Sequence, residues 1–332
     1  MVELYGHRAA SSKLFSAVFA QMKTLNAKRE ARRDPPRLSK LAAWTSLALA
    51  LAGVLDWRLR QPVYQGRPLR AWIEELGDNS YAAARALQEI GPGAISPLTR
   101  ALERKPSGWL NACAAVLSHS PRFLRPKLAA YYATITRRES RIQRARTAAA
   151  QVLGDFGPVA GMSAAALVEA LGDANATLRL NAAFALGKIG AKPELAVPAL
   201  AGRLDDPNEG VRMYAAIALK KFGPHAATAV PALIATLKDS SWQVRERAVL
   251  ALGAIGQNQA IVVPALEKTL LDEHRFVRSS AATALTSLAP HAKTARAALE
   301  QARYDPEAEV RYSAGLAVSQ IDSEADARTD SK

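Results

Sequence analysis

Six arginines, Arg146, Arg179, Arg212, Arg245, Arg278 and Arg311, stand 33 residues apart. Five aspartates, Asp173, Asp206, Asp239, Asp272 and Asp305, keep the same interval, six residues ahead of the last five arginines. A guanidinium presents a planar fork of N–H donors, and a carboxylate accepts two of them side by side. The spacing therefore predicts a ladder of structural ion pairs rather than a reaction centre, since a partly buried arginine needs a fixed carboxylate and the recurring aspartate supplies it. The other residues able to do chemistry are scattered. His7, His119, His225, His274 and His291 show no metal-ligand spacing, and His225 and His291 are expected in exposed loops. Cys113 is the only cysteine, which excludes an intrachain disulfide and a cysteine metal cluster, and no base stands beside it in sequence. Phosphate-loop, nucleophile-elbow and dinucleotide-fingerprint motifs are all missing from the sequence. The expectation is a chain with no catalytic residue, no metal and no cofactor.

The elements that must carry such a ladder follow from the same period. Self-similarity at roughly 20 to 50 residues marks an array whose units bury their apolar faces only against neighbours. Leu153, Leu186, Leu219, Leu252 and Leu285 recur on the interval, as do Ala149, Ala182, Ala215, Ala248, Ala281 and Ala314. Within one unit, Val211, Ala215, Ala218, Leu219 and Phe222 fall on one stripe of a helix. Asp206 sits where an N-cap belongs, Pro207 suits the first helical position, and Glu209 completes a capping box. Gly223-Pro224 supplies the stop. A shorter helix, about Val197 to Leu204, precedes it with Pro198 in its first turn, and Pro231 and Pro264 repeat that placement. Each unit is thus a pair of antiparallel helices. Upstream, Tyr81 to Gly91 with Ile95 to Leu98 reads as a further pair, and Trp109 to Leu117 with Phe123 to Tyr132 as a divergent one.

At Val230-Pro231-Ala232-Leu233, Asp239, Val244-Arg245, Ala248 to Leu252 and Ile255-Gly256 the chain resembles the HEAT-like repeats named after phycobilisome lyases. The resemblance covers about 140 to 322. It implies an all-α, right-handed α-solenoid, with Asp and Arg tying one repeat to the next, first helices convex and second helices lining a concave face. Tyr64 to Leu69 and Trp72 to Leu76 also resemble the juncture of membrane-tethered bacterial HEAT-repeat proteins. No histidine is followed by glutamate, so the His-Glu pairs of deoxyhypusine hydroxylase, an iron enzyme built of such repeats, are absent.

Formal net charge is +14, and its placement is uneven: residues 1–60 contribute +7, residues 61–140 +5 and residues 141–332 only +2. A nearly neutral array argues against a long basic surface tracking nucleic acid. The N-terminus is different. Seven Lys and Arg between Lys23 and Lys40 precede Leu41 to Leu55, fifteen residues without a charge. As helix that core spans about 22 Å, short of the roughly 30 Å hydrocarbon layer, with Trp44, Trp57, Lys40 and Arg58 placed to extend it. The segment reads as a retained membrane anchor, with a signal peptide cleaved near Ala52 and a buried soluble helix as the alternatives. Four arginines follow it, Arg58, Arg60, Arg67 and Arg70, so the cationic excess puts the N-terminus in the bacterial cytoplasm and the array outside.

The domain reading is a basic segment 1–40, a transmembrane helix 41–57, a linker with divergent repeats 58–140, regular repeats 141–322 and a disordered tail 323–332. The leading functional expectation is a scaffold that binds a protein or peptide on its concave face. Leu180, Asn181, Phe184, Met213, Tyr214, Ile217, Arg247, Leu250 and Tyr312 should line that face, with Leu316 and Lys221 beside them. The competing expectation for the same residues is burial between adjacent second helices. A bilin lyase or isomerase and a nucleic-acid-binding protein, as in HEAT-like DNA glycosylases, are the alternatives by resemblance, and resemblance of repeats carries architecture rather than chemistry.

Overall fold

The structure, a computed structural model, describes residues 63–105, 119, 120 and 124–329, with side chains to residue 324. The expectations placed on the basic segment 1–40, the apolar segment 41–57, Trp109 to Leu117, Cys113 and residues 330–332 lie outside the described residues. No helix among the described residues is long and apolar enough to cross a membrane.

The chain divides into two compact units, Met1–Ala71 and Trp72–Lys332. In the first, strands β1 (Val63–Tyr64) and β2 (Arg67–Pro68) pair antiparallel, Val63 opposite Pro68 and Tyr64 opposite Arg67. Gln65 and Gly66 both take positive φ, the two-residue turn that suits a hairpin's twist. Helix α1 (Leu69–Leu76) follows, its residues from Trp72 on belonging to the second unit.

The second unit is a stack of helix pairs. Helix α2 (Tyr81–Ile90) and α3 (Ile95–Glu103) flank a 3-10 turn, as the upstream sequence predicts. Helix α4 spans Arg125–Asp155 without interruption. The separate helix expected over Phe123 to Tyr132 is therefore corrected: from Lys127 to Tyr132 and on through the repeat boundary at 140–141 the chain meets no proline or glycine, so nothing breaks it. The C-terminal half of α4 is the second helix that α3 packs against. Five pairs then repeat the plan: α5 (Ala164–Ala170) with α6 (Ala176–Ile189), α7 (Pro193–Ala201) with α8 (Glu209–Phe222), α9 (Val230–Thr236) with α10 (Trp242–Ile255), α11 (Gln259–Thr269) with α12 (Arg275–Ser287), and α13 (Arg296–Ala302) with α14 (Ala308–Thr329). The tail expected over 323–332 is corrected in part: helix α14 runs on to Thr329, and Arg296 ties Asp322 back at 2.8 Å.

The recurring Ala and Leu are the core: every member of both series is fully buried. Each buried Leu contributes about 1.5 to 3 kcal/mol by leaving water. The second helices pack so closely that a Cβ on Gly187 would stand 2.8 Å from the Cα of Ala218, and Gly154 and Gly253 make the same approach to Ala185 and Ala284. A side chain at these glycines would push neighbouring repeats apart.

Two cap assignments are corrected. Asp206 does not cap α8; its Oδ1 accepts the N–H of Asn208, and Asn208 is the N-cap, accepting from the Val211 N–H. Pro207 stays in the turn and Glu209 begins the helix instead of closing a capping box. The physical reason is that the Asp206 carboxylate is already engaged by an arginine of the preceding repeat. Asp173, Asn175 and Leu178 repeat the arrangement. The first helices differ too: α7 and α11 start early enough to leave Pro198 and Pro264 inside them, because Lys192 and Asn258, both at positive φ, turn the chain into helix sooner. Only in α9 does the proline, Pro231, sit in the first turn.

Candidate protein-binding face

The ladder ties each second helix to the repeat that follows it. Each arginine reaches forward to the aspartate 27 residues on, in the next repeat: Arg179 to Asp206, Arg212 to Asp239, Arg245 to Asp272 and Arg278 to Asp305, all as two-point contacts of 2.6 to 3.0 Å. Its remaining Nη1 donates back to the main-chain oxygen of the aspartate in its own repeat, as Arg245 does to Asp239 at 2.9 Å. Sequence spacing alone left open which aspartate takes the side-chain contact. The structure settles it: the nearer aspartate offers its carbonyl and the next repeat's offers its carboxylate. Arg146 opens the series differently, giving Nη1 to Asp173 and Nε to the carbonyl of Leu102.

These pairs are well shielded, with the side chains of Arg179 and Asp206 only 10% and 1% exposed. Burial pushes the Asp206 carboxyl up, but the hydrogen bonds from Arg179 and the Asn208 N–H, with the charge of Arg179, outweigh it and hold the group below the usual carboxylate range. Asp239 and Asp305 are held down in the same way by Arg212 and Arg278. The hydrogen bond from Asp206 in turn raises Arg179 above its ordinary value.

On the face of the second helices the expected binding residues meet in part. Phe184 of α6 and Tyr214 of α8 touch edge to face, ring centres 5.8 Å apart, and the Lys188 ammonium lies over the Phe184 ring at 5.1 Å. Leu180 rests on Gly210, where a Cβ would come within 2.9 Å of its methyl. Met213, Ile217 and Leu250 are half-buried, whereas Tyr312 is 70% exposed. The residues are thus divided between the two expectations: Leu180, Phe184 and Tyr214 touch a neighbouring second helix while remaining half open to solvent. Asn181 departs from its expected role. Its side-chain amide donates to the Thr147 carbonyl of the preceding second helix at 3.0 Å, so it ties helices together. Arg247 makes a 3.5 Å contact with Glu246, and its Nε is buried with no hydrogen-bond partner.

The sequence reading missed a second aromatic group. Trp242, at the start of α10, stacks on His274 at 3.9 Å with the rings 9° from parallel, and Phe276 leans on both. Arg275 lies over Phe276 at 4.9 Å. The signal was present in the register: one period back, Trp242, His274 and Phe276 correspond to Glu209, Ser241 and Gln243. His225 and His291 are exposed, as expected of loop histidines. Among the described residues no three His, Cys, Asp or Glu side chains converge as a metal would require.

A family model of HEAT repeats matches residues 135–220 and 197–286. No curated protein matches the chain. Among solved structures, the chain is similar to an archaeal HEAT-like repeats protein from Thermococcus onnurineus NA1, at 13% identity over 80% of this chain and 99% of that one, TM-score 0.48. It is also similar to a designed armadillo repeat protein in complex with the peptide (KR)4, at 20% identity over 65% of this chain and 100% of that one, TM-score 0.46. An engineered protein matches at 17% identity over 83% of this chain and 90% of that one, TM-score 0.45.

Proposed function

We propose that this chain, whose residues 135–286 match a model of HEAT repeats, is a non-catalytic scaffold that holds a protein or peptide partner against the face of its second helices. The observation that carries this reading is the band formed by Leu180, Phe184, Met213, Tyr214 and Ile217: apolar and aromatic side chains half open to solvent, rimmed by Lys188. Such a band on a rigid support suits recognition, because interfaces take most of their affinity from a few aromatic and aliphatic anchors inside a polar rim. The ladder and the glycine contacts supply the rigidity. In this reading the partner meets a preformed surface, and neither metal nor cofactor takes part.

The scaffold acts at the outer side of a bacterial cytoplasmic membrane, tethered through residues 41–57 with its N-terminus inside. The basic run ahead of an uncharged fifteen-residue stretch supports this. A reporter active only in the periplasm, fused after Lys332, is expected to work in intact cells. Silence of the reporter together with recovery of the protein in the cytosolic fraction would remove the tether. The binding reading is tested by Phe184→Ser with Ile217→Ser: loss of the crosslinked partner from native membranes at unchanged circular dichroism is expected, and undiminished crosslinking would refute it.

A further inference from the structure

The ladder has one arginine whose fork is not filled. Arg311 stands in α14 as Arg278 stands in α12, and it is held the same way: Nη1 donates to the carbonyls of Asp305 and Pro306, each at 2.8 Å, as Arg278 does to Asp272 and Glu273 at 2.9 and 3.2 Å. In Arg278 the remaining edge, Nε and Nη2, grips both oxygens of Asp305. In Arg311 that edge faces solvent, and the residue is exposed.

The surface around Arg311 is open at positions that every earlier repeat covers. Ala150, Ala183, Ala216, Val249 and Ala282 are buried; their counterpart is Gly315, and no atom lies within 4 Å of where its Cβ would stand. Leu180 rests on Gly210 and Ser279 bonds Ser313 at 3.0 Å, whereas Tyr312, in their register, is 70% exposed. Leu316, one turn on in the same helix, is exposed too. The repeat plan itself stops here. Where Gly190, Gly223 and Gly256 turn the chain at positive φ, the register reaches Asp322, and the helix continues.

We propose that the face of α14 bearing Arg311, Tyr312, Gly315 and Leu316 docks a carboxylate-bearing helical turn of a partner protein, stacked as a further unit of the array. Four internal copies define the occupant: an aspartate whose Oδ1 also accepts a main-chain N–H two residues on, followed by a helix with small apolar residues toward the stack. The end of α14 does not supply it, since that helix carries the main chain about 27 Å along its axis from Arg311 to Thr329. A second copy fits poorly. Tail to tail, Arg311 would meet Arg311, and six residues before Arg146, where the register calls for an aspartate, stands Ser140.

The test uses the full chain and a helix-stapled peptide of residues 302–321, the segment that covers the equivalent face of α12. Fluorescence anisotropy is expected to show saturable binding that weakens at least tenfold with Arg311→Ala or Arg311→Lys, and as much with Asp305→Asn in the peptide, without further loss when both partners are changed. Equal affinity for wild type and Arg311→Ala, or no binding at millimolar peptide, would overturn the proposal. So would an Arg311-dependent dimer in sedimentation, which would assign the face to a second copy. Circular dichroism checks that the variants fold. Phe184→Ser with Ile217→Ser is expected to leave peptide affinity unchanged, which separates this face from the one under the proposed function.

Discussion

The same second helices carry two surfaces built on opposite plans. Along the ladder edge one residue type repeats: arginine stands at 146, 179, 212, 245, 278 and 311. On the face a quarter-turn away the register varies, running Leu180, Met213, Glu246, Ser279, Tyr312 and, four residues on, Phe184, Ile217, Leu250, Thr283, Leu316. Where every repeat must solve one packing problem, the chain uses one residue. Where the register varies, some side chains, such as Leu180 on Gly210 and Ser279 on Ser313, still serve the stack, and the proposed function assigns the half-open ones to a partner. Repetition within the chain marks what holds it together, and under the proposed function variation on the same scaffold is where a partner would be read.

The sharpest way to break the comparison is to remove a rung. Arg179→Ala leaves Asp206, with a side chain only 1% exposed, with no closer cation than the partly exposed Arg203 at 3.7 Å. The expected cost is about 3 to 5 kcal/mol in urea unfolding. Lys238→Ala, on an exposed site, should stay within about 0.5 kcal/mol, and equal losses would show the arginines to be merely solvated. Gly187→Val attacks the same edge sterically by forcing a branched side chain against Ala218, and a drop in melting temperature comparable to that of Arg179→Ala is expected.

Acid should find the ladder next. Asp206, Asp239 and Asp305 are held below the ordinary carboxylate value, so between the folded and unfolded values the unfolded chain binds more protons. Their stabilisation is therefore present above about pH 4 and is lost as pH falls through the lowered folded values. Asp206→Asn should flatten that loss in a pH series of melts, and an unchanged slope would show that Asp206 contributes none of it. The smallest effect on stability is expected on the variable face: Phe184→Ser with Ile217→Ser should cost less than Arg179→Ala, since both residues are half-buried. Loss of helix in that variant would place them in the core between repeats.

The fold was largely legible because its signals repeat: the Ala and Leu registers fell in the core and the Arg and Asp registers made the ladder. What escaped were features set by a single contact. Asp206 looked like an N-cap because the sequence cannot show that Arg179, 27 residues away, already holds its carboxylate. The unbroken α4 hid its role as a second helix, because a period search finds registers and not helix starts. On the face, Phe184 and Tyr214 were identified, but Asn181 was read as ligand-directed when its amide serves Thr147. The stack of Trp242 on His274 is hidden in the sequence because those positions are polar one period earlier.

The division between a structural edge and a recognition face is tested most directly by site-specific photocrosslinking in native membranes. A photoreactive residue replaces Ile217 on the second-helix face or Ala235, exposed on a first helix. The account predicts a discrete crosslinked species from position 217 and none from position 235. A species from position 235 alone, or equal yields from both, would contradict it.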